Sequence, residues 1–533
     1  MRNSRVVAAR WIARLHYRLA FALVASVLLG ACATLPEVTD RPHSEALAPS
    51  AQSPLAAIAL RSTPGPSQTG FRLLPEGFNS LDARVELVRR STASLDLQYY
   101  LIQNDRTGRL LMRNLRDAAL RGVRVRLLVD DLNTAGADDM FRGLAAFPNV
   151  EVRLFNPFCC ARGSLATRFA ASLMDFTRLN HRMHNKLFIA DGAMAVMGGR
   201  NIADEYFARS AMSNFLDMDV LVVGDVVSRL AGIFDGYWNS AQAYPIESVL
   251  REPADPEALR RAFDRLVDVG PQMMTVPAAP MDMLGHRRLG VELDSGRLEL
   301  AWGTARVFAD LPAKVMATSR EMASAMSVQM NVMDRVSESN REVLISSPYF
   351  VPGDAGVEAF AALRKRGVDV VILTNSLATN DVPVVHIGYA RYRVRLLRSG
   401  VQLYELSPNG DHQSEVSTFT AMSQGRLHAK AAVIDQSMVY IGSSNLDPRS
   451  DSTNTELGMV ARCPELAMQV RRVIDASVAH NSYRLQFGPD GEHLEWIVMG
   501  KEPEVVLTSE PDVTGLTQLR NMLLAPFVPD QLL

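Results

Sequence analysis

Apolar and polar positions alternate over residues 94–102 (SLDLQYYLI), the period-two pattern of a strand. Over residues 106–121 the apolar positions return at helical spacing, and Gly122 supplies a stop. Residues 123–129 (VRVRLLV), 150–155 (VEVRLF) and 215–223 (FLDMDVLVV) predict further strands, and residues 226–237 a helix. The same order then returns. Residues 342–347 predict a strand, 354–366 a helix stopped by Gly367, and 368–373, 401–406 and 456–460 strands. Strand-helix-strand alternation in both series argues for an α/β fold with a largely parallel sheet and helices on its faces. Two series in one chain argue for two duplicated domains rather than a solenoid.

The flanks read differently. Residues 1–18 hold five arginines, and an apolar run of 13 residues follows, LAFALVASVLLGA. That run is too short to span a bilayer comfortably and has the layout of a secretory signal peptide. It ends in Leu29-Gly30-Ala31-Cys32, which resembles the bacterial lipobox, so Cys32 is expected to carry a lipid anchor. The expected location is the bacterial cell envelope, lipid-anchored and facing the periplasm. Ala33 after the cysteine leans towards the outer membrane over the inner. Residues 32–70, rich in Ala, Ser, Pro and Thr, read as a flexible tether. The expected order is then a first domain over 71–245, an insertion or linker and the start of the second half over 246–335, a second domain over 336–485, and a C-terminal tail over 486–533. Residues 314–336 carry Met316, Met322, Met326, Met330 and Met333 at helical spacing. Core packing is the expectation for them and a lipid-facing surface the alternative. The closing stretch, LTQLRNMLLAPFVPDQLL, is too short to span; it reads as a helix packed on the body or an interfacial segment touching lipid.

Charge narrows the partners. The 533 residues carry a net charge of −2, and removal of residues 1–31 takes away five arginines and no acid, giving −7. Such a balance disfavours nucleic acid as a partner. Four cysteines, Cys32, Cys159, Cys160 and Cys463, make neither a disulfide framework nor a zinc pattern. The vicinal Cys159 and Cys160 are expected as small buried apolar residues.

The candidate chemistry lies in a stretch present twice. Residues 181–201 read HRMHNKLFIADGAMAVMGGRN, with His184-x-Lys186, Asp191 and Asn201; residues 427–445 carry His428-x-Lys430, Asp435 and Asn445 at matching offsets. In a strand, His and Lys two apart share a face. With Gly192-Ala193 and Gln436-Ser437 taken as two-residue hairpin turns, His184 falls opposite Asn201 and His428 opposite Asn445. Asp191 and Asp435 then sit at the turn and read as structural. This set suits displacement at phosphorus. One neutral imidazole attacks, a second and protonated one serves the leaving alkoxide, and Lys and Asn hold the phosphoryl oxygens; no metal or cofactor is required. A carboxylate on each distal ring nitrogen would set the tautomer. Alignment of the halves places Asp217 against Glu456 as candidates, with Asp219 the alternative to Asp217, and Tyr99-Tyr100 against Tyr349-Phe350. His386, in VPVVHIGYARYR, reads as a helical surface or core histidine, with a headgroup pocket the alternative.

The paired motifs resemble the HKD motifs of the phospholipase D superfamily. GGRNIADEYF, SPYFVPGDAGV, HIGYARYR and GSSNLDPRSDSTNTELG resemble the bacterial cardiolipin synthases of the C type. The resemblance covers roughly residues 75–530. It implies two pseudo-symmetric α/β/α sandwich domains sharing one cleft, and phosphatidyl transfer between phospholipids at a membrane through a phosphohistidine. It also implies His184 as nucleophile and His428 as acid/base. Water as acceptor in place of a glycerol hydroxyl gives a phospholipase D-type hydrolase, with nucleic acid the less favoured substrate. A non-catalytic envelope scaffold is the third reading, disfavoured by the intact His, Lys and Asn of both copies.

Overall fold

The structure is a computed structural model. It describes residues 41–172, 175–251, 253–268, 279–317, 319–324, 327–408 and 424–525, with Leu35, Gly270 and Val528 besides. The leader, Cys32 and Met326 lie outside the described residues.

The first half contributes β1 (Thr69–Leu74), β2 (Ser94–Tyr99), β3 (Arg124–Asp130), β4 (Val150–Phe155), β5 (Leu187–Ala190), β6 (Met194–Gly198), β7 (Ser213–Leu216), β8 (Asp219–Gly224) and β9 (Ala243–Pro245). The second contributes β10 (Ala301–Ala309), β11 (Glu342–Ser346), β12 (Asp369–Asn375), β13 (Gln402–Leu406), β14 (Gln424–Leu427), β15 (Ala431–Ile434), β16 (Met438–Gly442), β17 (Leu457–Arg462), β18 (Ser482–Phe487), β19 (Leu494–Val498) and β20 (Val505–Leu507). Eighteen of these form one sheet. Its order is β9-β4-β3-β2-β5-β6-β8-β1 through the first half, then β10-β17-β16-β15-β11-β12-β13-β18-β19-β20 through the second. The halves join where β1 pairs antiparallel with β10, its counterpart, and Thr69 faces Gly303. A pseudo-twofold axis therefore runs through that pair.

Hydrophobic burial follows the same plan. One core lies between the first-half sheet and helices Gly77–Arg90, Arg106–Leu120 and Asp138–Ala145. Another lies under the outer helices of the second half. The central core draws on both, with Phe71, Val220 and Phe234 packed in one cluster with Val433, Met459 and Ile474. Helices Asp225–Trp238 and Pro464–His480 supply its middle layer. Among the described residues no helix is long and apolar enough to cross a membrane.

Several expectations are corrected. The sheet is mixed: only β2-β3-β4 and β11-β12-β13 are parallel. Each His-bearing hairpin inserts between parallel and antiparallel strands, so β5 and β15 run against β2 and β11. The second half begins at β10, inside the expected stretch 246–335, and its sheet continues through β18–β20 into the expected tail. Between the halves, the expected insertion or linker holds helices Ile246–Val249, Pro256–Val267 and Leu289–Ser295. The tether is fixed over its described part. Arg126 Nη1 donates to Ser44 O at 2.9 Å, and Ala46 N to Asp235 Oδ2 at 2.8 Å. Helix Pro54–Ser62 buries Leu55 and Ile58 in the first core. The methionine stretch is broken into Pro312–Met316, Arg320–Ser324 and Val328–Ser337. Met316, Met322 and Met330 are 54%, 53% and 49% exposed, so core packing does not hold for them. Cys159 and Cys160 are half-buried, their Sγ atoms 2.7 Å apart. The C-terminal helix Gly515–Leu524 buries Asn521 and leaves Leu516, Met522 and Leu523 exposed.

The hairpin turns hold three residues, not two: Ala190 pairs with Met194, and Ile434 with Met438. The extra residue is accommodated by left-handed backbone at Asp191 and Gly192 (φ 52° and 61°) and at Asp435 and Gln436 (φ 49° and 58°). Continued along the strands, this register sets His184 across from Arg200 and His428 across from Ser444, one place off the expected asparagines. Asp191 accepts from the backbone N–H of Ala93 (2.9 Å) and Ser94 (3.0 Å), and from the Ser53 hydroxyl (2.5 Å). Asp435 accepts from Asn340 N (3.0 Å) and Arg341 N (2.8 Å). Each pins its hairpin to the start of the neighbouring strand. Asp191 is buried and Asp435 half-buried. Asp191→Ala therefore strands buried donors and is expected to cost on the order of 3 kcal/mol in urea unfolding, with Asp435→Ala costing less. Equal costs would contradict this account of the turns.

Candidate active site

The backbone before each candidate histidine is held by the other half. β14 pairs in parallel with β7, so Leu427 lies beside Leu216, and His428 N donates to Leu216 O at 2.8 Å. At the symmetric place Met183 bridges to Thr455, and His184 N donates to Thr455 O at 2.8 Å. The expected single strand over 215–223 is thereby split into β7 and β8, because β7 leaves the first sheet to pair across the axis. The break falls at Asp217, whose carboxylate also accepts from Met218 N at 2.8 Å.

The crossing continues in the side chains. His184 Nδ1 meets the Glu456 carboxylate at 3.0 and 3.1 Å, and His428 Nδ1 meets Asp217 Oδ2 at 2.6 Å. Each imidazole is thus oriented by the opposite half, with Nδ1–H donating and Nε2 left for chemistry. Asp217 and Glu456 are equivalent by register, lying two residues before Asp219 and Gly458, which face Gly198 and Gly442. Asp219 is engaged elsewhere, with Arg84 and Ser80. The second residue of each Gly-Gly or Gly-Ser pair sits against these carboxylates. Ser443 donates its hydroxyl to Glu456, whereas a Cβ on Gly199 would collide with Asp217.

Lys186 and Lys430 are buried, and each Nζ donates at 2.6 Å to the carbonyl of its own histidine. Asn201 is joined through Tyr206 Oη (2.9 Å) to the edge of the His428 ring, 5.1 Å between centroids. The first half's asparagine therefore reaches the second half's histidine. Among the described residues, Oδ1 of Asn201 and of Asn445 is buried without a hydrogen-bond partner, at the same place in both halves. Tyr100 stands edge-on to His184 at 5.1 Å, and Phe215 lies 4.9 Å from His428. Tyr349 is not the partner of Tyr99 or Tyr100. The bridges Ile102–Ile202 and Phe350–Leu446 align Tyr100 with Pro348, two places from the expected match. Tyr349 instead donates to Asp381. His386 is buried in helix Pro383–Ala390, 3.7 Å from Glu510.

Electrostatics differ between the two sites. Burial, with Lys186 and Lys430 adding to it, holds His184 well below the usual histidine range. Burial and Lys430 also lower His428, but Asp217 opposes them. Burial raises Glu456 to about 7 against the pull of Lys186. Burial works on Asp217 in the same direction, yet His428, Lys430 and Arg200 bring it down to about 2. Burial depresses both lysines: Lys186 falls well below its ordinary value, and Lys430 to about 8. Two buried lysines beside two imidazoles that are each engaged at Nδ1, with small residues at the motif ends, suit an anionic, tetrahedral group.

Comparison with known proteins agrees with this geometry. The family described as cardiolipin synthase, PLD-like domain, matches residues 85–238 and again 332–477. The chain belongs to the phospholipase D superfamily. It is an enzyme of that superfamily, built from two copies of the domain. Cardiolipin synthase C of Escherichia coli K12 is 39% identical over 457 residues, covering 84% of this chain and 92% of the relative. A cardiolipin synthase of Staphylococcus aureus is 24% identical over 415 residues, covering 77% and 68%. The crystal structure of Haemophilus influenzae phosphatidylserine synthase superposes with a TM-score of 0.55 at 13% identity, covering 91% of this chain and 96% of that one, which shows the same fold.

Positioning residues outside the motifs went unread in the sequence. Asp130, ending β3, accepts from Met183 N at 2.8 Å and pairs with Arg182. Its counterpart Asn375, ending β12, holds both backbone groups of Leu427 at 2.9 Å. Asp310 accepts from Glu456 N at 3.0 Å and pairs with Lys314 at 2.7 Å. Alignment of VRLLVD with VVILTN marks the first two; no local signal marks Asp310. Asp217→Asn keeps the volume but removes the charge that holds His428. It is expected to lower kcat by about 100-fold or more at unchanged melting temperature. Steady-state kinetics and calorimetry check this, and full activity would remove Asp217 from the machinery.

Proposed function

We propose that this enzyme is a phosphatidyltransferase that makes cardiolipin, moving a phosphatidyl group through a phosphohistidine onto the glycerol hydroxyl of a second phospholipid, phosphatidylglycerol. The observation that carries it is the crossed pair of histidines, each fixed at Nδ1 by the opposite half's carboxylate; in this reading both Nε2 atoms serve one phosphate. His184, held neutral by burial and its cationic neighbours, offers its lone pair to phosphorus. The bond from phosphorus to the headgroup alcohol breaks as the P–N bond forms. His428 Nε2–H, its charge supported by Asp217, protonates the leaving alkoxide. The acceptor hydroxyl then gives its proton back to His428 and attacks phosphorus, and the P–N bond breaks. Lys186, Lys430, Asn201 and Asn445 hold the phosphoryl oxygens throughout. The E. coli relative bears the name cardiolipin synthase C, which supports this acceptor.

Purified protein incubated with phosphatidylglycerol vesicles is expected to accumulate cardiolipin by lipid mass spectrometry, and His184→Ala and His428→Ala to form none. Phosphatidic acid without cardiolipin would replace transfer by hydrolysis, and full activity in both variants would remove the histidines from the chemistry. Phosphate binding needs Lys430 charged, so kcat/KM is expected to fall as pH rises through about 8. Lys430→Arg should carry that limb upward; a limb unmoved by the change would assign it elsewhere.

The leader ending at Ala31-Cys32 supports a lipid anchor on Cys32 and a membrane-apposed, periplasm-facing enzyme, with the outer membrane favoured. Mass spectrometry of the mature N-terminus is expected to show an acylated Cys32, lost in Cys32→Ser. An unmodified Met1 terminus would overturn the anchor.

A further inference from the structure

The two halves differ beside the site. In each, a strand end bridges to the residue after the motif asparagine: Ile102 to Ile202, and Phe350 to Leu446. In each, the next residue donates to that partner's carbonyl, Gln103 at 2.9 Å and Val351 at 2.7 Å. Beyond this point the first half is closed by polar contacts. Asp204 N donates to Asp105 Oδ2 at 2.6 Å, and the Asp204 carboxylate takes Thr107 N and Arg106 Nε. The second half has Gly353 and Pro448 in the places of Asp105 and Asp204, and there the structure opens into a cavity of about 400 Å³. Met330, Met333, Phe350, Val351, Phe360 and Leu446 line it, with Asp447 and Asp451 among its polar members.

This cavity shares Gln329, Met333 and Leu446 with a second, smaller one lined by Lys430 and Ser444, which leads from it towards the site. Leu446, in its wall, follows Asn445 directly. Met330, also in its wall, is 49% exposed. Exposed Met322 lies on helix Arg320–Ser324, which Ser324 ties to Asp451 at 2.5 Å. Methionine side chains are unbranched and conform to a flexible apolar guest, and exposed ones in series mark an apolar contact rather than a core.

We infer that this groove holds one fatty-acyl chain of the phospholipid whose phosphate lies at His184 and His428, with the polar flank of the first half left to the headgroup side. The inference rests on the phosphatidyl-transfer reading. Ala359, half-buried on helix Gly353–Lys365, also lines the groove. Ala359→Trp fills it.

The test uses the full chain in detergent micelles, with dioleoyl and dihexanoyl phosphatidylglycerol as substrates. Ala359→Trp is expected to lower kcat/KM at least tenfold on the dioleoyl lipid and less than twofold on the dihexanoyl lipid. Met330→Gln, a change at an exposed position, should act in the same direction more weakly, and it carries the test if the tryptophan variant fails to fold. A phosphatidylcholine photoprobe with a diazirine at the acyl terminus should label residues 330–333, 350–360 or 446–451 of the wild type. Filling the groove, or making its wall polar, should reduce that labelling. Equal losses on both lipids, or labelling elsewhere on the chain, overturn the groove. If the wild type turns over neither lipid while the groove is labelled, the groove stands and the transfer reading fails.

Discussion

The hydrogen bonds from His184 to Glu456 and from His428 to Asp217 tie each half's imidazole to the other half's carboxylate. Neither half alone can orient its own histidine. This explains why β7 leaves its sheet to pair with β14, why Met183 bridges to Thr455, and why β1 and β10 fuse the two sheets into one. The central core, shared between the halves, then excludes water from the seam where the pairs lie.

Exclusion of water sets the electrostatics. Asp217, Glu456, Lys186 and Lys430 are all buried, an arrangement that is costly unless every charge is compensated. Burial is the first cause of the shifts at Lys186, which lies well below its ordinary value, and at Glu456, raised to about 7. The two halves are not electrostatically equal: Asp217 is brought down to about 2 where Glu456 is raised to about 7. Ser443 hydrogen-bonds Glu456 where the first half has Gly199 against Asp217.

Much of this was legible in the residues, and the limits have physical causes. Two matching His-x-Lys stretches announced a duplicated half-site, although both lie just before their strands, which begin at Leu187 and Ala431, and not within them as the spacing suggests. Alignment found Asp217 and Glu456 because the same hairpin precedes both. That each serves the opposite histidine is a long-range fact with no periodic signature. The register slipped by one residue because Asp191 and Asp435, non-glycine residues, take left-handed backbone and lengthen the turns. Residues 41–62 looked like a tether from composition, yet buried Arg126 and Asp191 take their partners from Ser44 and Ser53. Helical spacing of methionines predicted core, since a pattern reports a face and not what covers it.

Duplication followed by divergence thus leaves a site symmetric in its chemistry and unequal in its surroundings, with a polar network on one flank and an apolar groove on the other. The claim on which all of this depends is that both motifs act on one phosphorus. A crystal structure of the protein with vanadate, which mimics a phosphoryl group under attack, tests it directly. One vanadium should lie between the motifs, bonded to His184 Nε2, with His428 Nε2 hydrogen-bonded to the opposite apical oxygen. Two vanadates held separately by the two motifs, or one held by a single motif with the other histidine turned away, would contradict the account.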